Sequence, residues 1–218
     1  SNRINLTMRK YFTWLMGNKK IKFIAVDLQY DFTRPGGACY YPRPSVGFIT
    51  SVILPALAER GIRVHEIIAD YRQPRPGDPR DICRPGEWGY RSEIPAEARY
   101  DDIWIKSLNS PSWTRENAGD PDRTCGLPVA DHENFTSWLY KGIGPPDETK
   151  VVLFGLTLDC CVLCTAQELM FRGYSVLILE EGTDTRSGHR TEKDYLLNRP
   201  PLIYWAKPVR WKDLIVML

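Results

Sequence analysis

A surplus of charge is the first thing this sequence lacks. Lys and Arg number 29 against 27 Asp and Glu, leaving +2 at neutral pH. So even a balance excludes the strongly basic footprint of a nucleic-acid binder and gives no reason to expect an acidic membrane surface as a partner. No apolar run approaches the ~18–20 residues that cross a bilayer. Ser1 to Lys20 carries basic residues but no unbroken apolar core of the signal-peptide kind. Internal repeats and low-complexity tracts are absent. Histidine is sparse, with only His65, His132 and His189.

What is present is ordinary globular composition, 43% hydrophobic and 26% charged, which argues against disorder. At 218 residues one domain is expected, spanning 1–218, with its core at 20–205 and an extension at 1–19. Six cysteines are present: Cys39, Cys83, Cys125, Cys160, Cys161 and Cys164. In a small secreted chain an even count suggests a disulfide framework. Here three of them crowd into five positions and no secretion signal accompanies them. A soluble, cytoplasmic protein with reduced thiols is expected.

Periodicity reads as strand, then helix, repeated. Ile21 to Leu28 is a short apolar run ending near an acid. Ser45 to Arg60 places Val46, Ile49, Ile53 and Leu57 at helical spacing and stops at Gly61. Further strands are expected at Ile62 to Ala69, Asp102 to Lys106, Val151 to Phe154, Tyr174 to Leu179 and Leu202 to Trp205. A helix is expected over Asp159 to Arg172, with Asp159 as N-cap and Gly173 as stop. Continuously apolar strands alternating with helices predict an α/β fold of three layers, a mostly parallel sheet with helices on both faces. Ligands of such sheets bind at the carboxyl ends of the strands. That rule selects Asp27, Asp70, Lys106, Gly155 to Cys161 and Glu180 to Asp184. Two long polar stretches, Arg72 to Glu93 and Ser110 to Val129, break the alternation. They read either as functional lids or as variable surface insertions.

The chemistry concentrates in G-L-T-L-D-C-C-V-L-C-T-A, Gly155 to Ala166. A strand, a Gly and a short turn bring Cys161 into the first turn of a helix. Unpaired N–H groups there favour an anion, so the thiol is expected to be acidified. The same N–H groups suit an oxyanion. Cys160 and Cys164 read as packing residues. Asp27 and Lys106, each ending a strand, supply an acid and a base. Alone each reads as a turn cap or surface residue, but converging on a thiol they meet the needs of acyl transfer.

These segments resemble the isochorismatase-like cysteine hydrolase superfamily, in its amidohydrolase branch. The resemblance rests on A-V-D-L-Q-Y-D-F around Asp27, G-E-W-G-Y-R-S-E-I at Gly86 to Ile94, W-I-K-S around Lys106 and G-L-T-L-D-C-C-V at Gly155 to Val162. It covers roughly residues 20 to 185. It implies a triad of Asp27, Lys106 and Cys161, a thioester intermediate, and a cis bond between Leu156 and Thr157. It also implies oxyanion donors from the backbone of Thr157 and Cys161. Leu158 stands where the family often has Thr. Metal-dependent nicotinamidases of the superfamily carry Asp-x-His after the second strand. Here Asp70-Tyr71-Arg72 occupies that place and no His lies between positions 66 and 131, so no catalytic metal and no cofactor are expected. Cys161 points to an amide or carbamoyl carbonyl. The alternatives are hydrolysis of a vinyl ether or thioester, or a non-catalytic binding protein of the same fold.

Arg72, Arg75, Arg80, Arg84 and Arg91 cluster in one segment. Guanidinium forks bind carboxylates, so a small anionic substrate is expected, with Arg72 and Arg84 as candidate contacts. A solvated charged loop is the alternative. Phe32, Trp88, Tyr90 and Trp113 are candidate pocket walls. The 110–129 insertion is a candidate lid over its own site or that of a neighbouring subunit. The resemblance further implies a homo-oligomer, dimer or tetramer, with neither nucleic acid nor membrane as a partner.

Overall fold

The computed structural model describes Gly17 and residues 19–218; the rest of the extension expected at 1–19 lies outside the described residues. Six strands form one parallel sheet: β1 (Lys20–Val26), β2 (His65–Ala69), β3 (Trp104–Lys106), β4 (Thr149–Leu156), β5 (Ser175–Asp184) and β6 (Lys207–Val209). Their order is β3-β2-β1-β4-β5-β6. The main helices are α1 (44–59), α2 (His132–Gly142), α3 (158–171) and α4 (Arg190–Leu197). Both α1 and α3 contain a π-helical stretch, at Ile49–Ile53 and Leu158–Val162.

Alternation within the strands makes the layers. In β1, Phe23 and Ala25 join one apolar layer while Ile24 and Val26 join the other, and all four are fully buried. In β4, Val152 and Phe154 face the first layer, Val151 and Leu153 the second. α1 covers the first layer with Ile49, Ile53 and Leu57. α2 and α3 cover the second with Phe135, Leu139, Val162, Ala166 and Leu169. The expected three-layer parallel architecture is present.

Three expectations need correction. Leu202–Trp205 is a short helix, and the sixth strand is Lys207–Val209, which pairs with Leu177 to Leu179. It is an edge strand, where the missing N–H of Pro208 costs no ladder bond. β5 continues to Asp184, five residues past the apolar run. α2 is an added element: Asp131 caps it, accepting the Asn134 N–H at 3.1 Å, and Phe135, Trp138 and Leu139 bury one face. The chain's last apolar segment finishes the first layer with Trp211 and Leu214. Among the described residues no helix is long and apolar enough to cross a membrane.

His65, at the start of β2, is buried and stacked on Tyr100 at 4.2 Å. Burial, helped by Lys22 and Arg63, holds its imidazole down to about 4. The unfolded chain therefore takes up this proton first, and stability is lost as pH falls from ~6.5 towards 4. Unfolding free energies of the wild type and His65→Phe, from urea titrations over that range, are expected to diverge by up to about 2–3 kcal/mol by pH 4. Parallel curves would show that His65 is not the titrating group.

Candidate active site

Strand order reverses between β1 and β4, so a crevice opens at their carboxyl ends. Asp27 follows β1 directly, and the turn leading to Cys161 follows β4. Their closeness depends on Gly155, at φ +122°, where a Cβ would lie 2.1 Å from the Val26 carbonyl oxygen. Only glycine lets the two strand ends approach so closely. Asp27 itself has φ +51°, a left-handed conformation that Asp tolerates better than most residues. Lys106 ends β3, one strand beyond β2, and its long side chain spans back to the crevice.

The three sequence-predicted residues meet there. Lys106 Nζ lies 2.8 Å from Asp27 Oδ2 and 3.4 Å from Cys161 Sγ. Asp27 and Lys106 are 0% exposed and Cys161 is 5% exposed. Neither Asp27 oxygen accepts a well-directed hydrogen bond; Oδ2 is held by the ion-pair contact with Lys106. The bond between Leu156 and Thr157 is cis.

Two further residues touch the thiol. The Tyr71 hydroxyl lies 3.4 Å from Cys161 Sγ and also contacts Lys106 Nζ. Asn109 lies within 3.6 Å of Cys161 Sγ through Oδ1 and donates from Nδ2 to Cys160 Sγ at 2.9 Å. Sequence reasoning passed over both, although Tyr71 lies just beyond β2 where the carboxyl-end rule looks.

The electrostatics differ from the expected acidified thiol. Contact with Cys160 and burial push Cys161 well up, against the pull of Lys106. Burial raises Asp27 well above the usual carboxylate range, although Lys106 lowers it. Burial works to lower Lys106, but Asp27 and Cys161 outweigh it and hold the ammonium charged. The site thus sets a carboxyl group of raised proton affinity against an ammonium and a thiol whose ionisation is opposed by Cys160 and burial. The helix start is also not the expected one. Asp159 is not the N-cap; Thr157 holds that position, and Asp159 Oδ1 instead accepts the Arg186 N–H at 2.9 Å.

In the D-L-Q-Y-D-F motif the roles divide. Gln29 completes the backbone pairing of β2, donating to Ala69 O at 2.9 Å and accepting from Ala69 N at 2.8 Å. Asp31 gathers loops, accepting the N–H groups of Ala38 and Cys83. Phe32 lines a cavity of about 680 Å³ in front of Cys161, together with Thr157 and Trp113. Leu156 is fully buried behind it.

The other candidate substrate contacts lie elsewhere. Arg72 is buried and grips Asp70 with both arms, at 2.9 and 2.7 Å. Arg84 is exposed and pairs with Asp81 at 2.6 Å. Trp88 packs on Tyr30, and the Tyr90 carbonyl accepts from Gln29; neither side chain lines the cavity. Crowding along the sequence placed these arginines on a loop that is fastened internally. The arginines lining the cavity are Arg43, Arg75, Arg80 and Arg186.

No family model and no curated protein matches the sequence. Solved structures do match. An isochorismatase-like hydrolase from Alkaliphilus metalliredigens covers 92% of this chain and 97% of its own, with a TM-score of 0.60 and 21% identity. N-carbamoylsarcosine amidase from Thermoplasma acidophilum covers 88% and 96%, at 0.54 and 22%. Pyrazinamidase of Pyrococcus horikoshii, solved in complex with zinc, covers 88% and 99%, at 0.59 and 18%. The chain has the isochorismatase-like α/β fold.

The residues here do not fit a metal. Asp70 accepts Arg72, lies 3.5 Å from Arg115 and takes the Gly119 N–H, with no histidine beside it. Among the described residues no group of three His, Cys, Asp or Glu side chains could hold an ion. Two guanidinium groups fill the place of a cation.

Cys160 is half-buried, and its contact with Cys161 lowers it below the usual thiol range. A neutral maleimide at pH 7 is therefore expected to label Cys160 before Cys161 in the free protein, read by peptide mass mapping. Faster labelling of Cys161 would mean that its resting form is a thiolate after all.

Proposed function

We propose that this chain hydrolyses a carbon–nitrogen bond of an amide or carbamoyl group in a small molecule. Cys161 is the nucleophile, Asp27 the proton acceptor and donor, and Lys106 the cation between them. The observation that carries this reading is the buried contact of carboxylate, ammonium and thiol at the sheet's switch point. The amidase names of two structural relatives agree with it.

In this mechanism the thiol proton passes to Asp27 as Sγ attacks the carbonyl carbon. Burial makes that carboxylate a stronger base than a solvated one. Charge moves to the carbonyl oxygen, where the N–H groups of Thr157 and Cys161 serve as donors. The C–N bond then breaks, Asp27 returns its proton to the leaving nitrogen, and a thioester remains. Water loses a proton to Asp27 and attacks the thioester. The thiolate leaves and recovers that proton, giving acid and amine with the site restored. Lys106 remains an ammonium throughout, and the Tyr71 hydroxyl stabilises sulfur while it carries charge.

Ammonia release from a panel of small amides and ureides tests the reading. Cys161→Ala and Asp27→Asn are each expected to lose at least about a thousand-fold in rate. Mass spectrometry of the acid-quenched wild type should show the acyl group on Cys161. Cys161→Ala with full turnover would sink the mechanism. Tyr71→Phe removes a hydrogen bond to a charged group and is expected to cost about ten- to a hundred-fold in kcat. An unchanged kcat would reduce Tyr71 to packing.

A further inference from the structure

The cavity in front of Cys161 holds more positive charge than its own carboxylates answer. Arg43, Arg75, Arg80 and Arg186 line it against Asp78 and Asp159. Asp78 is taken by Arg80, and Asp159 Oδ1 by the backbone N–H of Arg186. Arg43 is 7% exposed and donates to the carbonyls of Phe32, Cys39, Thr185 and Arg186, with no carboxylate in ion-pair contact. Arg75 is anchored through Nε to Tyr71 O at 2.9 Å and through Nη2 to Arg80 O at 3.2 Å, with its guanidinium 4.9 Å from the Tyr71 ring centre. Its Nη1 has no hydrogen-bond partner among the described residues. The Arg186 side chain has neither ion pair nor hydrogen bond among them.

Arg75 comes from the loop after β2 and Arg186 from the loop after β5. In the sheet order these loops flank the crevice between β1 and β4. Arg43 is buried, donates only to carbonyls and has Asp159 and Asp184 in its field; Arg75 is half-buried and Arg186 exposed, so these two guanidinium groups are the ones open to an arriving anion, which a guanidinium fork binds well. Phe32, Ile82, Leu108 and Trp113 give the same cavity an apolar wall. Its volume of about 680 Å³ suits a short-chain molecule.

We propose that the substrate is a small amido or ureido acid, its free carboxylate held by Arg75 and Arg186 in the field of Arg43 while its carbonyl faces Cys161. This rests on the amidase reading above.

Two matched pairs of probes test it: N-carbamoylglycine and its methyl ester, succinamate and its methyl ester. The acid is expected to exceed its ester in kcat/KM by about ten- to a hundred-fold in the wild type. The double variant Arg75→Gln, Arg186→Gln should bring that ratio close to one, mainly through KM. Arg84→Gln, paired outside the cavity, should leave the ratio unaltered. Equal turnover of acid and ester, or a preference that survives the double variant, overturns the proposal.

Calorimetry with Cys161→Ala protein and the same probes needs no turnover. Tighter binding of the acids, lost when Arg75 and Arg186 are replaced, supports the carboxylate site even if no ammonia is ever released, in which case the amidase reading alone fails. Acid and ester binding alike, or no acid binding at millimolar concentration, overturns it, while any turnover leaves the amidase reading standing.

Discussion

The ion pair between Asp27 and Lys106 is the constraint around which the site is built. Both side chains are cut off from water, and stripping water from each ion costs several kcal/mol. Their contact at 2.8 Å offsets that cost only while both stay charged and in place. Removing either leaves an uncompensated buried charge, typically worth 3–5 kcal/mol or so. Contact with Cys160 and burial oppose ionisation of the adjacent thiol, against the pull of Lys106. That is why Cys161 rests as a thiol despite an ammonium 3.4 Å away. Moving a proton from sulfur to Asp27 leaves the charge of the trio unchanged, which makes the transfer compatible with so dry a place.

The surrounding chain serves to hold that pair. Gly155 lets β1 and β4 close on each other, and Gln29 replaces a missing strand partner for β2. The loop after Lys106 is fastened to α3: Ser110 and Ser112 both donate to Glu168, which also pairs with Arg172. The 110–129 insertion is anchored by Arg115, buried against the carbonyls of Asp70 and Arg72, and by the short ribbon of Trp113–Thr114 with Val129–Ala130. It contributes Trp113 to the cavity as a fixed wall. Asp70, Arg72 and Arg115 thus form a structural knot one strand away from the reacting groups.

How much of this was legible follows from which interactions are local. Strand and helix periods are local, so β1, α1, β4 and α3 were readable within a few residues. So was the convergence of Asp27, Lys106 and Cys161, because the carboxyl-end rule turns sequence order into a place. Leu202–Trp205 misled because four apolar residues in a row look alike as strand or helix. α2 was overlooked although Asp131 and the Phe135, Trp138, Leu139 spacing signal it. The arginines were legible only in part: Arg75 and Arg80 of the sequence cluster line the cavity, while Arg72 and Arg84 do not. Density along the chain pointed to Arg72 and Arg84, but their partners sit in the same loop or the insertion. Arg43 and Arg186 are far apart in sequence, and only the packing of α1 against the end of β5 brings them together. The direction of the thiol's shift was equally hidden, since it depends on burial and on Cys160 being in contact.

Charge is divided between two zones. Asp27, Lys106 and Cys161 are enclosed, while further positive charge lies on the cavity wall in Arg43, Arg75 and Arg186. On the proposed reading this separates binding from chemistry. A guanidinium that holds a carboxylate does so equally before and during reaction, so it lowers KM and leaves kcat to others. The groups that touch sulfur meet charge only as it develops, so their strength is felt in kcat. An anion bound beside the thiol would oppose thiolate formation. Held at the wall by guanidinium groups, it is neutralised before it can. A site of this kind selects its substrate by one end and attacks it at the other.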